Sequence, residues 1–165
     1  MGIERTLRNL INRLLGAVNV FLFSFMVVIG TYQILVRYLF NRPSTVSEEL
    51  LTYAFTWMSL LAAAYVFGER GHMRMSFFAD RFSEKVRVRL ELAIEILIFT
   101  FAAVILVYGG IQITALTMSQ KTASLGIPMG YLYGIVPVCG ILIMVYSLLN
   151  LAGMLGGDDG EGREA

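Results

Sequence analysis

Apolar residues run along this chain in long stretches that contain no Asp, Glu, Lys, Arg or His: 14–36, 50–68, 96–120 and 122–157. A helix needs roughly 20 such residues, at about 1.5 Å rise each, to cross a hydrocarbon core about 30 Å thick. The first three stretches each predict one crossing. The fourth is longer than a crossing needs. It reads as a loop, Thr122 to Ile127, followed by a helix starting near Pro128, where the missing N–H of proline would have no partner in a first turn. The predicted spans are therefore about 14–36, 50–68, 93–120 and 128–155. They form a single four-helix membrane domain over residues 1–157, with a short disordered acidic tail at 158–165.

The segments between the spans carry their own patterns. Ile3, Leu7, Leu10, Ile11, Leu14 and Leu15 recur at helical spacing, with Arg5, Arg8, Asn9, Asn12 and Arg13 on the other faces. This predicts an N-terminal amphipathic helix at the membrane surface. No small-x-small cleavage site follows it, so the first span is expected to be retained. After the first span the chain turns at Asn41-Arg42-Pro43. Thr45 with Glu48 three residues on has the spacing of a capping box for the second helix. Glu48 and Glu49 place negative charge at its positive end, within reach of Arg37 or Arg42. Between the second and third spans, Phe77, Phe78, Phe82, Val86 and Leu90 alternate with charges, which predicts a basic amphipathic connector.

Composition sharpens this picture. Hydrophobic residues make up 57% of the 165 and charged residues 15%, against about 25% in soluble domains. Net charge is only +1, but its distribution is uneven. Arg5, Arg8 and Arg13 precede the first span, and six basic residues from Arg70 to Arg89 fill the second connection. Lys121 stands alone in the third. The positive-inside rule then places both termini and the second connection in the cytoplasm.

Chemistry is notable for what is missing. No Asp, Glu, Lys, Arg or His lies near the middle of a span, whereas intramembrane charges normally mark ion or substrate pathways. Glu95 comes nearest, one turn into the third helix, with Arg87 or Arg89 as expected partners. The one histidine, His72, lies outside the spans and offers no axial haem ligand, and it has no companion for hydrolase chemistry. A single cysteine, Cys139, excludes a thiol-oxidase disulfide pair. The chain is therefore not expected to be an enzyme, and no catalytic, cofactor or metal residue is assigned. Tyr108-Gly109-Gly110, Gln112, Thr114 and Thr117 give the third span a small and polar stripe that is expected to face protein. Gly126, Gly130 and Gly134 recur every four residues before Pro137, a glycine ridge with an expected kink. That ridge also fits a self-associating four-helix channel or exporter.

Several of these features occur together in one known family. Arg37, Phe40-Asn41, Pro43, Ser47-Glu48-Glu49-Leu50, Tyr53, Trp57, the alanine run 62–64, and Gly71-His72-Met73-Arg74 stand in order along the chain. Leu125-Gly126-Ile127-Pro128-Met129-Gly130 and Tyr133 to Pro137 follow. The string resembles the small membrane subunit (the DctQ-like Q subunit) of tripartite ATP-independent periplasmic (TRAP) transporters. It departs from that pattern at Val46, often tryptophan, and at Ser76, often aspartate.

The resemblance implies a bacterial inner-membrane scaffold beside a large membrane subunit, which moves an organic anion with sodium after a periplasmic binding protein delivers it. It implies no cofactor in this chain, sodium coupling in the partner, bound phospholipid as an admissible ligand, and no nucleic acid. Arg37, Glu48, Glu49, Trp57, His72 and Arg74 are its structural motif residues. Gly109, Gly110, Gln112, Gly130 and Gly134 are the candidates for contact with the large subunit, packing within the bundle being the competing reading. Arg42, Ser44, Thr45 and Lys121 are the candidates for contact with the binding protein.

Overall fold

The computed structural model of the chain describes residues 2–68 and 84–155. Most of the expected basic connector, with His72 and Arg74, and the tail 158–165 lie outside the described residues. Helix α1 is Gly2–Phe40 and α2 is Thr45–Gly68. Helix α3, Glu84–Phe101, continues through a π-helical segment, Ala102–Gly109, into α4, Gly110–Thr117. A single-turn helix α5, Gly130–Tyr133, precedes α6, Ile135–Leu155. Four stretches are long and apolar enough to cross a membrane: Thr6–Phe40, Thr45–Gly68, Arg89–Thr117 and Gly130–Ala152. Among the described residues there is no strand, only an isolated bridge between Lys121 and Pro128. Among the described residues the protein is all-α, with four segments long and apolar enough to span a membrane.

The expected surface helix and the first span are one uninterrupted helix. Nothing in residues 2–40 breaks it, since the segment holds no proline and its one interior glycine near the join, Gly16, is tolerated in a helix. At about 1.5 Å per residue it runs roughly 58 Å, nearly twice the hydrocarbon thickness, so much of α1 projects beyond the apolar layer or tilts within it. It ends at Asn41, whose φ of 49° is the left-handed conformation that asparagine tolerates after a helix. The next helix begins one residue away from the expected cap. Ser44, rather than Thr45, is the capping residue. Its Oγ accepts from the Ser47 main-chain N–H at 3.3 Å, and its carbonyl accepts from Glu48 N–H at 3.2 Å.

The fourth span also begins differently from expectation. Pro128 lies before the helix, paired with Lys121 in the turn, and the kink expected along the glycine ridge is an interruption at Gly134. Pro137 is the third residue of α6, where its missing N–H falls among the donors that a first turn leaves free. The third span carries a π segment that no feature of the sequence announced. Its wide turns lie where α6 comes closest: a Cβ at Gly140 would be 2.7 Å from Leu106 Cβ, and one at Gly110 would be 2.9 Å from Pro137 Cδ.

The fourth span forms the centre of the bundle. A third of its most apolar window (33%) is buried, against 17% for the second span and 6% for the first and third. Its neighbours are the second span on one side and the third on the other, with α1 laid against α2. Leu15, Leu61, Ile135, Cys139 and Tyr146 form one core cluster, and Ala64, Ala102 and Ile143 form another. The remaining surface is strongly apolar, as lipid or a membrane partner requires, with Phe21, Leu97 and Leu116 among its exposed side chains.

Candidate functional site

Polar side chains gather at the two ends of the bundle. At the end holding the 40–45 corner, one face of α2 grips the segment between α4 and α5. That segment is a tight turn. Thr122 N–H donates to the Ile127 carbonyl at 2.9 Å, and Ile127 N–H donates back to Thr122 Oγ1 at 3.2 Å. Met129 N–H donates to the Gln120 carbonyl at 2.8 Å. Gly126 takes φ 68°, which a side-chain-bearing residue adopts only with strain.

Glu49, one turn into α2, aims its carboxylate into this turn. Oε2 accepts from the main-chain N–H of Ser124 at 2.7 Å and of Leu125 at 3.1 Å, while Oε1 accepts from the Tyr53 hydroxyl. Charge-assisted bonds of this kind are about twice as strong as neutral ones. Two turns further on, Trp57 Nε1 donates to the Leu132 carbonyl at 3.1 Å, serving the end of α5 where the helix is interrupted. Glu49, Tyr53 and Trp57 are four residues apart and share one face of α2. Among the described residues no ion pair joins Glu49 to Arg37 or Arg42, so the expected pairing gives way to the contact with the turn.

The opposite end joins all four spans. Arg8 of α1 donates to the Gly68 carbonyl, the last of α2, at 3.4 Å and to Asn150 Oδ1 of α6 at 2.6 Å. Asn150 Nδ2 in turn donates to Glu95 Oε1 of α3 at 3.1 Å. The amide thus bridges a cation and a carboxylate, accepting from one and donating to the other. Ser147 Oγ donates to the Glu95 carbonyl at 3.3 Å, and the Tyr146 hydroxyl donates to Asn12 Oδ1. Among the described residues Glu95 thus meets α6 and forms no ion pair with Arg89, while the side chain of Arg87, the other expected partner, lies outside them. On α1, Arg8 and Asn12 bond to the other spans while Leu10 and Leu14 are exposed, so this end of the helix has polar groups directed inward.

The other sequence-predicted residues divide among these settings. Glu48 is exposed at the start of α2, and so are Arg37, Arg42, Thr45 and Lys121 at the same end, whereas Ser44 is half-buried in its cap. Gly110 and Gly130 are buried within the bundle; a Cβ at Gly130 would be 2.7 Å from both Met118 Sδ and the Thr114 carbonyl. Gly109 and Gly134 are half-buried with only ordinary contacts around them. Thr114 and Thr117 satisfy their hydroxyls on their own helix, at 2.7 Å from the carbonyls of Gly110 and Ile113, and so need no partner. Gln112 is exposed.

Sequence reasoning gave Arg8, Asn12 and Tyr53 no site role and missed Asn150 and the turn amides. The i, i+4 pair Arg8 and Asn12 and the lone Asn150 near the end of an apolar helix were the available signals. Nothing in the sequence announces the two N–H donors. Among the described residues no group of His, Cys, Asp and Glu could hold a metal ion.

The chain is 30% identical over 156 residues to the sialic acid TRAP transporter small permease protein SiaQ of Vibrio cholerae, covering 92% of this chain and 87% of that protein. It is 22% identical over 147 residues to a putative TRAP transporter small permease protein of Haemophilus influenzae, covering 89% of this chain and 91% of the relative. A second putative small permease of that organism is 21% identical over 128 residues, covering 76% of this chain and 77% of the relative. These relatives are transporter subunits rather than enzymes. Two of the motif strings that carry the resemblance, around Glu49 and Trp57 and around Leu125 to Pro137, supply the two halves of the clasp described above. Residues 26–157 match the family described as tripartite ATP-independent periplasmic transporters, DctQ component, and the chain belongs to that family as a small TRAP transporter permease subunit.

Proposed function

We propose that this subunit is the fixed scaffold of a sodium-coupled importer of an organic anion, working beside a large membrane subunit and fed by a soluble binding protein. The single observation that carries this division of labour is the absence of any Asp, Glu, Lys, Arg or His at mid-depth in the four spans. A chain that held cargo or sodium within the bilayer would need such groups, or unwound backbone, at that depth. The tie at the Gly68 end and the clasp at the corner end support rigidity, since each joins spans that are distant in sequence. On this reading the protein lies in a bacterial inner membrane. Both termini and the Arg70–Arg89 connection are cytoplasmic, following the distribution of basic residues, and the clasp end faces the periplasm. The exposed Gln112, in a bilayer that offers it no hydrogen-bond partner, supports contact between the third span and the large subunit. Phospholipid covers the remaining apolar faces. The glycine ridge lends little to a homo-oligomeric channel, because Gly130 packs against Met118 and Thr114 of its own chain.

Reconstitution in liposomes tests the proposal. The purified chain alone is expected to move no organic anion under a sodium gradient, with uptake appearing only when the large subunit and binding protein are both added. Sodium-driven uptake by this chain alone would overturn it.

A further inference from the structure

We propose that Glu49 is a positioning residue for the docking of the soluble binding protein, a role that rests on the three-part transport reading above. The turn it grips is braced internally by the Thr122–Ile127 and Gln120–Met129 bonds, so it moves as one piece. Glu49 is what joins that piece to the start of α2 through the amides of Ser124 and Leu125. Those two donors belong to the main chain and the Thr122 hydroxyl also faces the carboxylate, so every contact of the turn with Glu49 depends on the charge of the acceptor.

Two exposed patches are fixed relative to each other by this grip. One is the corner at Arg42 and Thr45, and the other is Lys121, Ala123 and Ile127 on the turn. A soluble partner that reads both needs their separation held constant, and Glu49 sets it. The occupant is argued from charge and position. Among the described residues neither Arg42 nor Lys121 has an ion pair, so both cations, with exposed Glu48 at the same end, are available to a partner face that carries carboxylates opposite them. Its residues flank the ends of the spans rather than the apolar stretches that a membrane subunit would cover. Flexing of the turn would lower the fraction of subunits holding both patches in the binding geometry and weaken docking in proportion.

The experiment measures binding of the cognate binding protein to the two-subunit membrane complex in nanodiscs, with hydrogen exchange followed at the Ser124 and Leu125 amides. Glu49→Gln is expected to speed exchange at those amides and to weaken binding by on the order of tenfold, the worth of a lost charge-assisted contact. Glu49→Asp, which keeps the charge, should recover part of both. Lys121→Glu should weaken binding while leaving the exchange slow, and the yield of co-purified large subunit should stay at the wild-type level throughout. Unchanged affinity in the Gln variant despite faster exchange overturns the inference and leaves the transport reading intact, and so does loss of the large subunit from that variant. Failure of the wild-type complex to bind the binding protein at all overturns both.

Discussion

A methyl group added at Gly68 and one added at Gly16 meet opposite surroundings. At Gly68 the new carbon would lie 2.5 Å from Tyr146 Cζ and 2.7 Å from Asn12 Oδ1, two side chains already bonded to each other. At Gly16 nothing stands within 4 Å. Gly68→Ala is therefore expected to destabilise the protein by about 1–3 kcal/mol through overpacking. Gly16→Ala is expected to be neutral or to stabilise by up to about 1 kcal/mol, because alanine is the better helix former. Thermal unfolding of the two variants in detergent decides the matter, and equal midpoints would refute the close packing of α1, α2 and α6 at this end. Hydroxyl groups illustrate the complementary rule. Ser24, Thr31, Thr52, Thr56 and Thr100 are all exposed, and each donates to the carbonyl four residues before it at 2.8 to 3.0 Å, so none demands a neighbouring chain.

Helices in this protein are tied to one another mainly at their ends, and Asn150 is the hub of one tie. Replacing it with leucine removes the bridge between Arg8 of α1 and Glu95 of α3 and leaves their charges without that partner, an expected loss of about 1–3 kcal/mol. Glu95→Gln should cost less in the Asn150→Leu background than in the wild type, since the contact it would disturb is already gone. Additive effects in denaturant titrations would show that the two residues act independently.

The helices themselves were legible in the sequence because apolar runs longer than the bilayer is thick leave few alternatives, and all four spans fall where those runs do. Their fine structure was not. Ser44 and Thr45 are both good capping residues, and only the geometry selects Ser44. The π segment Ala102–Gly109 has no compositional mark, and what sets it apart, the close packing of α6 against Leu106 and Val107, is a feature of the folded bundle. The clasp joins Glu49 to amides 75 and 76 residues away, and main-chain donors look alike at every position of a sequence. Family resemblance pointed to the residues on both sides of the clasp without revealing that they touch.

Taken together, the described residues enclose little interior of their own. The first and third spans bury 6% of their most apolar windows, so most of their surface is available to lipid or to a partner. Gln112 distinguishes the two uses, because a carboxamide exposed to acyl chains would lack a hydrogen-bond partner. Gln112→Leu is expected to lower the yield of large subunit retained on affinity purification in detergent while leaving the thermal stability of the isolated chain within about 0.5 kcal/mol of wild type. Undiminished retention would place the contact on another face. The central position of the fourth span also bears on how the protein is made. Residues 130–152 form the last of the four spans in chain order, so the three earlier ones leave the ribosome before the element that unites them. During that interval Arg8 and Glu95 wait without Asn150, and Trp57 waits without Leu132. A nascent chain interrupted before residue 130 is thus an open assembly that membrane quality-control proteases can recognise, and completion of the last helix is the event that closes it.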